Sequence, residues 1–178
     1  GATYISPYND QAIICGQGAL GLEVSRDLEH IDAIFISVGG GGLISGVGGY
    51  LKSIFPSIQV HGVSPKNSCV MYESLNAGKQ LDLPSKPTLS DGTAGGVELG
   101  SITFEMCKDI IDEFKVVSED EIAKGIHIGL EKNHQLIEGA AGATIASFIN
   151  QKEKFKGQTV VLVMCGGNIS SSVLKSIL

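Results

Sequence analysis

The sequence predicts an α/β fold: three layers, with a mostly parallel, twisted sheet and helices on both faces. Two observations carry that expectation. Short apolar, β-branched runs alternate with stretches whose apolar residues recur at helical spacing. One run, TVVLVMC at 159–165, is apolar without alternation, as a buried central strand of a parallel sheet should be. With 178 residues, the chain can form one domain with its own core, or a large piece of a bigger domain.

The elements follow in order. DAIFISV (32–38) is a strand that runs into four consecutive glycines, Gly39 to Gly42. LISGVGGYLKSIF (43–55) is a helix, with Leu43, Val47, Tyr50, Leu51 and Ile54 on one face. IQVHGV (58–63) is a strand, and CVMYESLNAG (69–78) a helix ending on Gly78. Residues 79–100 have no convincing period, and a loop of that length in a compact domain is usually functional or an interface. EFKVVS (113–118) is a strand; Ser118 followed by Glu121 is a capping box opening the helix EIAKGIHIGLEKNHQLI. GATIASFINQ (142–151) is a further helix. The strand 159–165 then ends, like the first, on glycines, in CGGN.

Composition excludes several classes. Apolar residues at 43% and charged ones at 18% describe a globular chain, since disorder needs less hydrophobicity and more charge. A net charge of −6 with a single arginine, Arg26, argues against nucleic acid, whose phosphates require clustered Lys and Arg. Any phosphate ligand must therefore be held mainly by backbone N–H groups. No run approaches the ~20 apolar residues of a membrane span, and no secretory signal is visible. The four cysteines, Cys15, Cys69, Cys107 and Cys165, form no C-x-x-C pair, which suits a reducing compartment; the cytoplasm is expected.

Three glycine clusters compete for a ligand. GQGALG (16–21) is a literal G-x-G-x-x-G, but a dinucleotide site needs a strand before it and an acid about 20 residues on. Asp32 comes early and at the start of a strand, which favours a helix start with close packing. The run SVGGGGLISG (37–46) is not a P-loop, because Val47-Gly48 stands where Lys-Ser/Thr is required. It does join the C-terminal end of a strand to a helix start, where successive amides and the helix dipole surround an anion. Bare Cα positions would let a phosphate approach closely; the competing account is a flexible turn. MCGGNIS (164–170) brings Cys165 to the same sheet edge, as a small apolar residue or a weak hydrogen-bond partner for a ring or substrate. In LIEGAAGA (136–143), Glu138 among small residues is either a carboxylate facing a bulky ligand or an ordinary helix-end glutamate. His127, Glu131 and His134 share a helix face at a spacing compatible with metal, but a solvated face is the better account.

Taken together, YNDQAIICGQGALGLEV, SVGGGGLISGV, SDGTAGG, LIEGAAGA and VMCGGNIS resemble, in order, the motifs of fold-type II pyridoxal-phosphate enzymes. The likeness is to serine/threonine dehydratases, threo-3-hydroxyaspartate dehydratases and serine racemases, and it covers nearly the whole chain. The resemblance implies pyridoxal 5'-phosphate as cofactor, with its phosphate on the amides of Gly39, Gly40, Gly41, Gly42 and Leu43. It implies Cys165 beside the pyridine nitrogen, Glu138 near the ring, and Asp91-Gly92 in a loop facing cofactor and substrate. The implied reaction is loss of the β-hydroxyl from serine, threonine or hydroxyaspartate, giving a 2-keto acid and ammonia. Racemisation is the alternative within the family, and a non-catalytic half-length module binding a phosphate ligand the alternative outside it. The implied partners are a small amino acid and a second copy of the chain.

Two departures from the pattern matter. The family's cation site has a glutamate and, six residues on, an aspartate; here Ser64 and Val70 stand there, so no metal is expected. The family's Schiff-base lysine lies in a Ser-Phe-Lys-x-Arg-Gly-Ala segment that this sequence does not contain. Lys52, Lys124 and Lys132 occupy polar contexts unlike it, so no catalytic residue is assigned. Residues 1–178 are accordingly expected to be the C-terminal, cofactor-holding portion of the large domain, not competent alone.

Overall fold

A computed structural model describes residues 1–178. Four parallel strands form one sheet in the order β3-β2-β1-β4: β1 Ala33–Ser37, β2 Gln59–Pro65, β3 Glu113–Val117 and β4 Val160–Leu162. All of β1 is buried, and its alternate side chains serve two cores. Ile34, Ile36 and Val38 pack with α2 (Gly42–Ile54), α3 (Val70–Ala77) and α4 (Ile102–Ile110), against which α1 (Gln11–Asp27) also lies. Ala33 and Phe35 pack on the other face with α5 (Glu119–Asn133) and α6 (Gly139–Ile149). A seventh helix, α7 (Ser171–Ile177), ends the chain. The expected three-layer α/β arrangement is present.

Local chemistry explains the boundaries. Asp10 caps α1 by accepting from the amides of Ala12 and Ile13. Ser118 and Glu121 form the reciprocal capping box at the start of α5, at 2.7 and 3.3 Å. Gly78 closes α3 in the left-handed conformation, as expected.

Several expectations are corrected. α5 stops at His134, itself left-handed with φ 55°, three residues short of Ile137; the extended stretch that follows delivers Glu138 to the start of α6. Within this chain β4 is hydrogen-bonded to β1 alone and is half-buried, where a fully buried strand was expected. A continuous apolar run marks faces suited to cover and says nothing about which strands pair along its edges. Residues 79–100 hold a single 3₁₀ turn, Asp91–Thr93, and no strand. GQGALG lies inside α1, not at a helix start, and a Cβ on Gly18 would sit 3.3 Å from the Gly46 carbonyl of α2. The motif packs two helices; Asp32 meanwhile ties β1 to β4, accepting from Thr159 N at 2.7 Å.

His61 of β2 is 2% exposed and stacks on Phe35 with ring centroids 4.4 Å apart. Its Nδ1 lies 3.3 Å from Glu113 Oε2 but misaligned, so neither ring nitrogen has a hydrogen-bond partner. Burial pushes its pKa below 6.5, with Lys154 and Lys115 acting the same way and Glu113 and Asp112 opposing. As pH falls through about 6.5 the unfolded chain takes up this proton and the folded chain does not, so folding stability declines toward acid. We expect wild type to lose stability between pH 7.5 and 5.5 from this residue. His61→Phe should keep the stack and remove that loss, leaving only the carboxylate-driven decline at lower pH; urea melts at the two pH values test it.

Candidate functional site

Parallel strands point their C-terminal ends the same way, so the segments after β1 and β4 share an edge of the sheet. There a cavity of about 320 Å³ is lined by Gly39 to Leu43, Gly92, Glu138 and Cys165, together with Pro7, Tyr8, Ser37, Thr93 and Ala140. Every residue singled out in the sequence for this site therefore meets in one place, apart from Asp91.

The glycine loop offers donors. None of the amides from Gly39 to Ile44 makes a hydrogen bond within the chain; pairing resumes at Ser45 N, 3.0 Å from Gly41 O. These six consecutive N–H groups stand at the N-terminus of α2, where the helix dipole adds positive potential. The expectation that bare Cα positions serve the ligand's approach is corrected. A Cβ on Gly39 would lie 2.8 Å from Thr93 O, and one on Gly42 2.8 Å from the Tyr8 Cβ. On Gly40 it would enter the Tyr8 ring, and on Gly41 lie 2.8 Å from Cys107 Sγ. The missing side chains make room for protein, which grips the loop and leaves its amides free.

Cys165 Sγ lies 3.2 Å from Ser37 Oγ. Burial pushes the thiol pKa up, and the nearby Glu138 charge adds to that, while the Ser37 hydrogen bond opposes; the sulfur is uncharged at neutral pH. Glu138 is half-buried and tied to the CGGN segment: its amide donates to Gly166 O at 3.1 Å and its Oε2 accepts from Asn168 N at 3.0 Å. A Cβ on Gly92 would lie 2.9 Å from Glu138 Oε1, and Gly166, at φ 102°, packs on the same carboxylate. Glu138 is thus held in a fixed place. Asp91 is exposed, accepts from Gly92 N at 2.9 Å, and faces an adjoining cavity of about 260 Å³ that Glu138 also lines.

Other expectations fare differently. His127 is half-buried, with Nε2 bonded to Ile177 O, so that helix face is not simply solvated; His134 has left the helix. Ser64, where the resemblance would place a cation-binding glutamate, is buried and donates to Val38 O at 2.6 Å, anchoring the strand end before the glycine loop. Val70 is buried in the core. No lysine lines the glycine cavity, and Lys52 pairs with Asp112 at 2.7 Å. Sequence reasoning missed Tyr8, Ser37 and Thr93. It also missed α4, whose buried Phe104, Cys107 and Ile110 recur at a readable helical spacing.

Comparison with known proteins agrees with this architecture. The model of a family described as pyridoxal-phosphate dependent enzyme matches residues 1–166. The chain is 40% identical over 178 residues to an L-threonine ammonia-lyase of Thermotoga maritima, spanning all of this chain and 44% of that protein. It is 34% identical to the catabolic L-threonine dehydratase TdcB of Escherichia coli, over 99% of this chain and 54% of the relative. Among solved structures, the processed threonine deaminase isoform 2 of Solanum lycopersicum superimposes with a TM-score of 0.91 at 33% identity, over 99% of this chain and 52% of that one. Maize serine racemase superimposes with a TM-score of 0.89 at 30% identity, over 99% and 54%. The chain thus spans about half the length of the relatives it matches. The family model covers residues 1–166 of the 178, and the chain belongs to the pyridoxal-phosphate dependent enzymes.

Proposed function

We propose that this chain holds pyridoxal 5'-phosphate and serves a dehydratase that converts a β-hydroxy amino acid, L-threonine or L-serine foremost, to a 2-keto acid and ammonia. One observation carries the proposal: the unbroken run of unpaired amides from Gly39 to Ile44 at a helix N-terminus fits a dianionic phosphate where the chain has no arginine nearby. When bound, the cofactor supplies the electron sink that makes loss of a β-hydroxyl possible. The chain's residues bind and orient it. The amides of Gly39 to Leu43 hold the phosphate, and the uncharged Cys165 thiol offers a ring nitrogen a weak partner that does not protonate it. Gly92 leaves space beside the carboxylate of Glu138, which the Asn168 N–H fixes at the cavity wall.

On this proposal no lysine of the chain is the nucleophile, and residues 1–178 are the C-terminal, cofactor-holding portion of a cytoplasmic homodimer. No helix is long and apolar enough to cross a membrane. Native protein purified from its source, supplied with pyridoxal phosphate, should release keto acid from L-threonine or L-serine. Absence of product from both, and from threo-3-hydroxyaspartate, overturns the proposal. The likeness to maize serine racemase supports a second reading, amino-acid racemisation, and the ratio of D-serine to pyruvate formed from L-serine separates the two. A native mass near 18.6 kDa without activity would favour a phosphate-binding module instead.

A further inference from the structure

We infer that Thr103, which lies outside the cavity, is a positioning residue for phosphate recognition by the glycine loop; the inference rests on the phosphate reading above. Thr103 is fully buried on α4, behind the loop, and its Oγ1 donates to Gly40 O at 2.6 Å. In a trans peptide the C=O and the following N–H point in opposite directions. The chain has no cis peptide, so holding Gly40 O against α4 turns the Gly41 N–H away from α4. That amide is one of the unpaired six, and Gly41 lines the cavity while Thr103 does not.

The clamp is itself oriented. Ser101 Oγ lies 2.6 Å from Thr103 Oγ1; with the Thr103 hydrogen committed to Gly40, Ser101 must be the donor in that pair. The two hydroxyls form a chain in which each bond strengthens the next. The following peptide is held as well: Gly41 O accepts from Ser45 N of α2 at 3.0 Å, with Cys107 Sγ of α4 at 4.0 Å. Without the clamp the Gly40–Gly41 peptide is free to rotate, and its N–H spends less time facing an anion. Thr103 thus acts on ligand affinity without touching the ligand.

The test uses amide NMR on the full chain, titrated with inorganic phosphate, pyridoxal phosphate and pyridoxal. In wild type the amides of Gly39 to Ile44 should shift with both phosphate-bearing probes. Thr103→Val, which keeps shape and loses the donor, should need about 10-fold more of either, about the effect of one charge-assisted hydrogen bond, with the largest loss of response at Gly41. Thr103→Ser should bind within about 2-fold of wild type. Unphosphorylated pyridoxal should leave the loop amides unshifted in all variants, and amide resonances away from the loop should superimpose on wild type, which a general loss of structure would not allow. Ser101→Ala, which leaves the Thr103 hydroxyl in place but unguided, should weaken phosphate by about 3-fold and carries the test should Thr103→Val fail to fold. If wild type responds and both Thr103→Val and Ser101→Ala titrate identically to it, the positioning role is overturned and the phosphate reading stands. If the wild-type loop amides respond to neither phosphate nor pyridoxal phosphate, that reading falls and Thr103's role with it.

Discussion

Gly41→Ala should abolish the response of the loop amides to phosphate, an affinity loss of about 100-fold or more, and lower stability by about 2–3 kcal/mol. Two costs add at this position. Its φ of 88° is left-handed, which an L side chain adopts at about 1–2 kcal/mol. A Cβ there would also lie 2.8 Å from Cys107 Sγ and 3.1 Å from both Met71 Cε and Thr103 Cβ, all in the packed layer behind the loop. Relief requires the loop to move outward, and the Gly40–Gly41 peptide would leave its anchor on Thr103. Gly78→Ala is the control: it is also left-handed, φ 66°, but open space surrounds it. It should cost only the backbone term and leave phosphate binding intact. Urea melts and the amide titration read both effects; a Gly41→Ala protein that still binds phosphate normally would sink the account of the loop.

Gly46→Ala and Gly125→Ala should each cost about 3 kcal/mol or more, although alanine is the better helix former by about 1 kcal/mol. A Cβ on Gly46 of α2 points at the carbonyl of Ile14 in α1, with Gly18 N only 2.8 Å away. One on Gly125 of α5 points at the carbonyl of Gly142 in α6. Both obstacles are backbone, so no rotamer change relieves them; the helices must separate. Packing therefore outweighs propensity. The opposite sign is expected at Gly16, within α1 and with nothing within 4 Å of a Cβ, where alanine should stabilise by about 0.5–1 kcal/mol. Equal melting temperatures for Gly46→Ala and Gly16→Ala would refute the close approach of α1 to α2.

Much of this was legible because it is local. The capping box at Ser118 and Glu121, the left-handed stop at Gly78, and the apolar runs of β1 and β2 are read within a few residues of themselves. So was the meeting of Gly39 to Leu43 with Cys165: two parallel strands ending in glycines must present those ends together. What escaped is set by distance along the chain. Tyr8 fills the space over Gly40 and Gly42 from more than 30 positions upstream, and Thr103 reaches Gly40 O across 63. No periodicity encodes such pairings. The pairing of β4 within this chain with β1 alone escaped for another reason, since its side chains describe its faces only.

The Glu98 carboxylate has a part in this geometry. It accepts from Tyr4 Oη, Ser6 Oγ and Asn9 Nδ2 at 3.0, 2.9 and 2.8 Å, and its amide donates to Tyr8 Oη at 2.8 Å. The segment that roofs the glycine loop is thus fastened to residues some 90 positions away, and Glu138 and Cys165 join from farther still. A cavity whose walls come from such remote stretches exists only once the whole chain has folded; no partly folded subset of elements reproduces it. Its ligand therefore distinguishes native from unfolded chain completely, and by mass action occupancy and unfolding are linked. At 100 times its dissociation constant a ligand adds ~2.7 kcal/mol to the unfolding free energy. On the proposed function, the concentration of pyridoxal phosphate thereby sets part of the folded chain's stability.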